Sequence, residues 1–252
     1  MLRVLIAGAT GWTGAPLAEA VRAADDLELA GGIARRGADF ESVEEALAAT
    51  EADVLVDFTK PGVVRGHVDA ALAAGLHAVV GTSGLTAADY EEIDAAARAA
   101  GRGVIAAGNF SVLAATLLHA ATLAAQHVDH WEVIDYGSAG KPDVPSGTAR
   151  ELAERLGAAA PAAHDADLIG PAEARGASVS GTRVHSVRLP SFALSTDVIL
   201  AAAGDRLVIR HEAGSSAEPY VAGTLLAVRR VGEVTGVLRG LDRLLFGEVN
   251  TK

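Results

Sequence analysis

Three groups of residues have the types and spacing to do chemistry. The first is Gly8-Ala9-Thr10-Gly11-Trp12-Thr13-Gly14, with glycines three apart, after a short apolar run and before a helical pattern. Glycines there allow a tight turn and close backbone approach to a pyrophosphate, and the helix N-terminus adds unpaired N–H groups and partial positive charge. A tightly packed strand–helix turn would use the same glycines. The strand–helix–strand context favours the dinucleotide. The second group is Arg35-Arg36, after the run Gly31-Gly32-Ile33-Ala34. An acid at the end of that strand would hold the adenosine ribose hydroxyls, whereas arginine accommodates a 2′-phosphate. No acid stands there, which favours NADPH and leaves NADH possible; a solvated basic loop is the competing reading. The third group is Lys141-Pro142-Asp143-Val144-Pro145-Ser146-Gly147-Thr148-Ala149. Ser146-Gly147-Thr148 opens a predicted helix, so N–H groups and two hydroxyls converge on one point, and Lys141 adds a full charge. That is an anion site, compatible with Ser146 acting as a plain N-cap.

A scaffold must position these groups. Strands are predicted over residues 3–7, 27–33, 54–58, 78–80 and 104–107, alternating with helices over 15–24, 41–50, 66–74 and 87–100. This alternation implies a parallel sheet covered on both faces. After Asn109-Phe110-Ser111 the rhythm changes. A helix over 112–126 and a strand over 131–136 precede a turn-rich stretch and a helix over 148–156. An Ala/Pro/Gly-rich excursion over 157–176 follows, then strand-like segments 183–189, 196–202 and 206–211, expected to be antiparallel. Helical runs over 220–230 and near 238–246 end the chain. The fold class is therefore α/β: a Rossmann-type doubly wound parallel sheet plus an α+β domain for substrate and oligomerisation. The first domain takes residues 1–111 and 220–252, the second 112–219.

Composition narrows the possibilities. In 252 residues, half apolar but only 4% aromatic, there is ample material for a core of helices packed on strands. The absence of cysteine excludes disulfides, thiolate metal sites and a cysteine nucleophile. Met1-Leu2-Arg3 runs straight into Val4-Leu5-Ile6 without the layout of a signal peptide. No apolar run approaches the roughly 18 residues of a membrane span. The expectation is a soluble cytoplasmic protein with no membrane partner. A net charge of −11 argues against a nucleic-acid surface and leaves a small molecule as the partner. No metal site is expected.

Further motifs carry a resemblance. Asp57-Phe58-Thr59-Lys60-Pro61 follows the third strand, Gly81-Thr82-Ser83-Gly84 the fourth and Asn109-Phe110-Ser111 the fifth. The lysine-to-Ala149 motif, Val184-His185-Ser186-Val187-Arg188 and Ile209-Arg210-His211 come later in order. From end to end the set resembles the 4-hydroxy-tetrahydrodipicolinate reductase (dihydrodipicolinate reductase) family. The resemblance implies an NAD(P)H-dependent oxidoreductase delivering hydride to a C=N or conjugated C=C bond of a small carboxylated substrate, and a homotetramer built through the second domain. It also implies that Gly8, Gly11 and Gly14, with Thr10, Trp12 and Thr13 between them, line the pyrophosphate. Arg35 would approach the 2′-phosphate, with Arg36 as second candidate. Phe58, Thr59, Gly81 and Thr82 would flank the cofactor, and Gly108, Asn109 and Phe110 would position the nicotinamide. Lys141, Ser146, Gly147 and Thr148 would bind substrate carboxylates.

One stretch departs from the family pattern. Where the family has acid-Ala-His-His before the lysine, this chain has Asp135-Tyr136-Gly137-Ser138. The first histidine is the family's proton donor and the second helps hold a carboxylate. Neither glycine nor serine can donate a proton like an imidazole. The stretch after Arg188, Leu189-Pro190-Ser191-Phe192-Ala193-Leu194-Ser195-Thr196-Asp197, replaces the family's Gly-rich turn with a bulkier, more apolar set expected to reshape one wall of the substrate pocket. Tyr136 and Lys141 are the candidate replacement donors, with Asp135 and Asp143 nearby and bound water as an alternative. His185 and His211, on predicted strands, are read as structural. Three readings stay open: a reductase of altered substrate, the lysine-pathway reductase with a replacement donor, and a non-catalytic dinucleotide-binding redox sensor.

Overall fold

The computed structural model describes residues 1–161, 169–192 and 194–247. The chain divides into two compact units, Met1–Val112 with Ala217–Lys252, and Leu113–Ser216.

The first unit runs β1 (Leu2–Ala7), α1 (Gly14–Ala23), β2 (Leu27–Ile33), α2 (Val43–Ala49), β3 (Val54–Asp57), α3 (Pro61–Ala73), β4 (His77–Val80), α4 (Ala87–Ala100) and β5 (Gly103–Ala106). Its sheet has the order β11-β5-β4-β3-β1-β2, in which β11 (Gly236–Arg239) returns from the far end of the chain. All pairings are parallel. Every residue of β3 and β5 is buried, as expected of strands covered on both faces. Val64, Val68 and Leu72 of α3 and Ile93 and Ala97 of α4 pack on Ala78, Val80, Val104 and Ala106. Helix α4 starts at a reciprocal Thr86/Asp89 capping box and ends at Gly101 in the left-handed conformation.

The second unit contains most of α5 (Val112–Ala125), then β6 (His130–Gly137), α6 (Gly147–Ala159), β7 (Ala177–Val179), β8 (Thr182–Arg188), β9 (Leu194–Ala202) and β10 (Asp205–Ala213). The sheet order is β10-β9-β6-β8-β7. Strand β6 alternates strictly. Trp131, Val133, Asp135 and Gly137 are buried, while Glu132, Ile134 and Tyr136 are half-buried on the other face. The buried face packs with Leu117, Leu118 and Ala121 of α5 and Leu152 and Leu156 of α6. Helix α7 (Glu218–Arg230), β11 and α8 (Leu241–Phe246) then complete the first unit.

Four expectations need correction. The segments over 183–189 and 196–202 are not neighbours: β6 lies between β8 and β9, and β8 runs parallel to it. A central strand borrowed from earlier in the chain leaves no local signal. Residues 238 and 239, expected to be helical, belong to β11, bracketed by Gly236 and Gly240 at positive φ. Helix α3 begins at Pro61 and not at 66, because proline at the first helical position has its φ preset and Gly62 masks the pattern. Helix α6 continues to Ala159, into the expected excursion, and Ala172–Arg175 forms a 3-10 turn. The rest of that excursion includes residues 162–168, outside the described set. No helix among the described residues is long and apolar enough to cross a membrane.

Candidate active site

In the first unit, the carboxyl ends of β1, β2, β3 and β4 open on a cleft of about 1450 Å³. Gly8, Thr10, Gly11, Trp12, Thr13, Arg35, Arg36, Phe58, Thr59, Gly81 and Thr82 all line it. Gly8 has φ +86, and a side chain there would strike the Phe58 carbonyl; one at Gly14 would strike the Gly8 carbonyl. The loop is thus a cradle only glycine permits, and α1 starts from it with no side-chain cap and no acid in its first turn. Free N–H groups at such an end suit a phosphate. Gly81 lies against the Phe58 ring, which meets Phe110 edge-on at 5.9 Å. Phe110 itself is buried, and Gly14, Gly108, Asn109 and Phe110 are not among the lining residues. Arg35 and Arg36 are exposed, and neither has an ion-pair partner among the described residues.

Sequence reasoning missed several lining residues, notably Glu41, Lys60 and His67. Beneath the cleft floor lies Asp57, 1% exposed. Its Oδ1 accepts from Thr59 N (3.1 Å), Thr59 Oγ1 (2.7 Å) and Thr82 Oγ1 (2.5 Å), and its Oδ2 meets His67 Nδ1 at 2.6 Å. Burial pushes this carboxyl up, but the hydrogen bonds from His67, Thr82 and Thr59 outweigh it and hold it below the ordinary range. The network ties the loops after β3 and β4 together. Thr59 is only two residues from Asp57, but His67 is ten and Thr82 is 25 residues away, so no local motif announces the whole network.

In the second unit, Ser146 caps α6, its Oγ accepting from Ala149 N at 3.2 Å. Its own N–H donates to Asp135 Oδ2 (2.8 Å), fixing the helix start to β6. Asp135, 1% exposed, also accepts from Arg188 Nη2 at 2.7 Å and Ser186 Oγ at 3.2 Å. Gly147 and Thr148 follow in the first turn, half-buried. Lys141 Nζ pairs with Asp143 at 2.7 Å. A Cβ added at Gly137 would meet Lys141 Cδ at 3.0 Å and the Arg188 guanidinium at 3.2 Å. The space beside Gly137 is therefore filled by the lysine stem and the arginine head.

Tyr136 lies elsewhere. It projects from the other face of β6, donates to Asp197 Oδ2 at 3.1 Å and stacks on Phe192 at 5.2 Å. Burial, then the Asp197 carboxylate, hold its phenol above the ordinary value. Arg210 grips Asp197 through two nitrogens and sits 5.8 Å from the Tyr136 ring. Phe192 thus lies against Tyr136, on the face opposite Gly137 and Lys141. His185 Nε2 meets Glu132 Oε2 at 2.7 Å on that same face, and His211 is buried, which lowers its pKa.

A parallel sheet with a glycine cradle at its carboxyl edge, joined to a mixed-sheet unit bearing a cation and a helix start, defines a dinucleotide-dependent oxidoreductase. Comparison with known proteins narrows this. Family profiles described as dihydrodipicolinate reductase, N-terminus and C-terminus, match residues 2–110 and 103–245. A 4-hydroxy-tetrahydrodipicolinate reductase of Mycobacterium sp. (strain KMS) is 38% identical over 248 residues, covering 97% of this chain and 99% of its own. One from Nocardia farcinica is 38% identical, covering 97% and 98%. Among solved structures, a dipicolinate-bound dihydrodipicolinate reductase from Paenisporosarcina sp. TG-14 superposes with TM-score 0.80 at 26% identity over 97% of this chain and 99% of that one. A probable dehydrogenase from Thermotoga maritima, 11% identical with TM-score 0.67 over 96% and 92%, shares the fold. The chain belongs to the dihydrodipicolinate reductase family. It is an NAD(P)H-dependent reductase of that kind.

Proposed function

We propose that the chain reduces a C=N or conjugated C=C bond in a small carboxylated substrate, with NADPH preferred and NADH possible. The observation that carries the cofactor choice is the pair Arg35 and Arg36, unpartnered among the described residues and lining the cleft next to the glycine cradle. A guanidinium held there recognises a 2′-phosphate through charge-assisted hydrogen bonds. Bound, the nicotinamide supplies the hydride. Ser146, Gly147 and Thr148 receive a substrate carboxylate at the start of α6, and Lys141 adds the charge. Of the two candidate donors, Lys141 is favoured, since its stem lies beside Gly137 while Tyr136 projects from the opposite face. Its ammonium holds a proton at Nζ and gives it to the atom left electron-rich by reduction, the nitrogen of an imine or the α-carbon of a conjugated alkene. Asp143, 2.7 Å away, orients it.

The same placement supports a second reading, the lysine-pathway reductase itself with Lys141 in the histidine's role. The family resemblance supports a homotetramer, and we propose a cytoplasmic location. The test is NADPH oxidation with 4-hydroxy-tetrahydrodipicolinate beside a panel of cyclic imines, for wild type, Lys141→Ala and Lys141→Arg. General acid help is worth roughly 10²–10⁴-fold, so kcat should fall by that order in the alanine variant. A raised KM with unchanged kcat would leave Lys141 as an anchor only, and turnover of no substrate would overturn the proposal.

A further inference from the structure

Three residues make four hydrogen bonds to the Asp57 carboxylate, and His67 differs from the other two. Thr59 and Thr82 bond to Asp57 from the loops after β3 and β4, whereas His67 comes from the second turn of α3 and also lines the cleft. Its Nδ1 is 2.6 Å from a buried carboxylate oxygen. A carboxylate only accepts, so Nδ1 carries the hydrogen and the neutral ring keeps its lone pair on Nε2. Nε2 has no hydrogen-bond partner among the described residues. The side chain is 20% exposed, in a cleft that Thr59, Lys60, Pro61, Val63 and Ser83 also line.

A lone pair so fixed takes a hydrogen-bond donor, and it repels the phosphate oxygens that the glycine cradle and Arg35 suit. The hydroxyl donors of a dinucleotide are its riboses. We infer that His67 is a cofactor-binding residue, its tautomer set by Asp57 so that Nε2 accepts a hydrogen bond from a ribose hydroxyl. This rests on the dinucleotide reading of the cleft. It assigns a second duty to the Asp57 network, which joins two loops of the cleft and also orients a group toward the ligand.

Two isosteric variants separate contact from scaffolding. Asparagine places an amide where Nδ1 stands and keeps the bond to Asp57 without reaching the ligand. Glutamine reaches the position of Nε2. Binding is read from the fluorescence of Trp12, which lines the same cleft, by titrating NADPH and NADH into the full-length protein. The expected result for His67→Asn is a loss of affinity of about 3–10-fold, the worth of one hydrogen bond, at near-wild-type thermal stability. His67→Gln should bind more tightly than His67→Asn. With NADH analogues lacking single ribose hydroxyls, the asparagine penalty should vanish for one of them. Wild-type affinity in His67→Asn, or equal losses in both variants, would overturn the assignment; so would a penalty that persists with every analogue. Wild type that binds neither NADPH nor NADH would instead overturn the reductase reading.

Discussion

Arg188 donates four hydrogen bonds inside its own unit, whereas Arg35 donates none to any described residue. A guanidinium with its donors engaged sets structure, and one left open can bind a ligand. Arg35→Ala should therefore weaken NADPH by about 1–3 kcal/mol and leave NADH nearly unchanged, since a charge-assisted bond is lost only with the phosphorylated cofactor. Isothermal titration with both cofactors checks this, and equal losses would remove the phosphate clamp. Arg188 also governs what happens at Gly137. Putting histidine there brings a Cβ to 3.0 Å from Lys141 Cδ and 3.2 Å from the Arg188 guanidinium. The lysine stem can swing, but the arginine is pinned to Asp135 and to the Asp143 carbonyl. Gly137→His should cost about 1–3 kcal/mol in urea unfolding, as overpacking does. Ser138→His, at an exposed position, should cost far less. A Gly137→His midpoint equal to wild type would mean that the two side chains yield freely.

Within elements, the cleft hangs on strand ends held by Asp57. Its carboxyl lies below its ordinary range when folded, so its stabilising contribution is complete above the unfolded value and lost as pH falls through the folded one. The gap in unfolding free energy between wild type and Asp57→Asn should be constant near neutrality and narrow below about pH 4. A pH-independent gap would mean that the ionised form is not what stabilises the fold. The parallel sheet of the first unit was legible because strand, glycine turn and helix repeat locally, and α4 carries its own cap residues at both ends. The glycine cradle and the start of α6 were legible for the same reason. Local patterns could not show that β6 would separate β8 from β9, or which face of β6, the one with Tyr136 or the one with Gly137, would lie beside Lys141. Alternation along a strand fixes two faces but does not say which of them bears the chemistry. His67 was missed because its partner lies on β3 and only tertiary structure joins them.

For the whole molecule, the cofactor is expected to stabilise the native state through the first unit. At a hundredfold excess over its dissociation constant, a ligand adds about 2.7 kcal/mol to unfolding. Amide exchange should slow most in residues 8–14 and at the ends of β3 and β4, and protection rising only in residues 113–216 would contradict the cleft assignment. The pairing of β11 with β5 has a consequence for how the protein is made. Strand β5 leaves the ribosome more than a hundred residues before its outer neighbour, Gly236–Arg239, exists. During that interval the nascent chain presents the bare polar edge of Gly103–Ala106, a strand buried along its whole length once the chain is complete. An unpaired strand edge is a template for the wrong strand. A message broken anywhere between those points would therefore yield, in place of a smaller working enzyme, a sticky fragment for the cell's chaperones and proteases to handle.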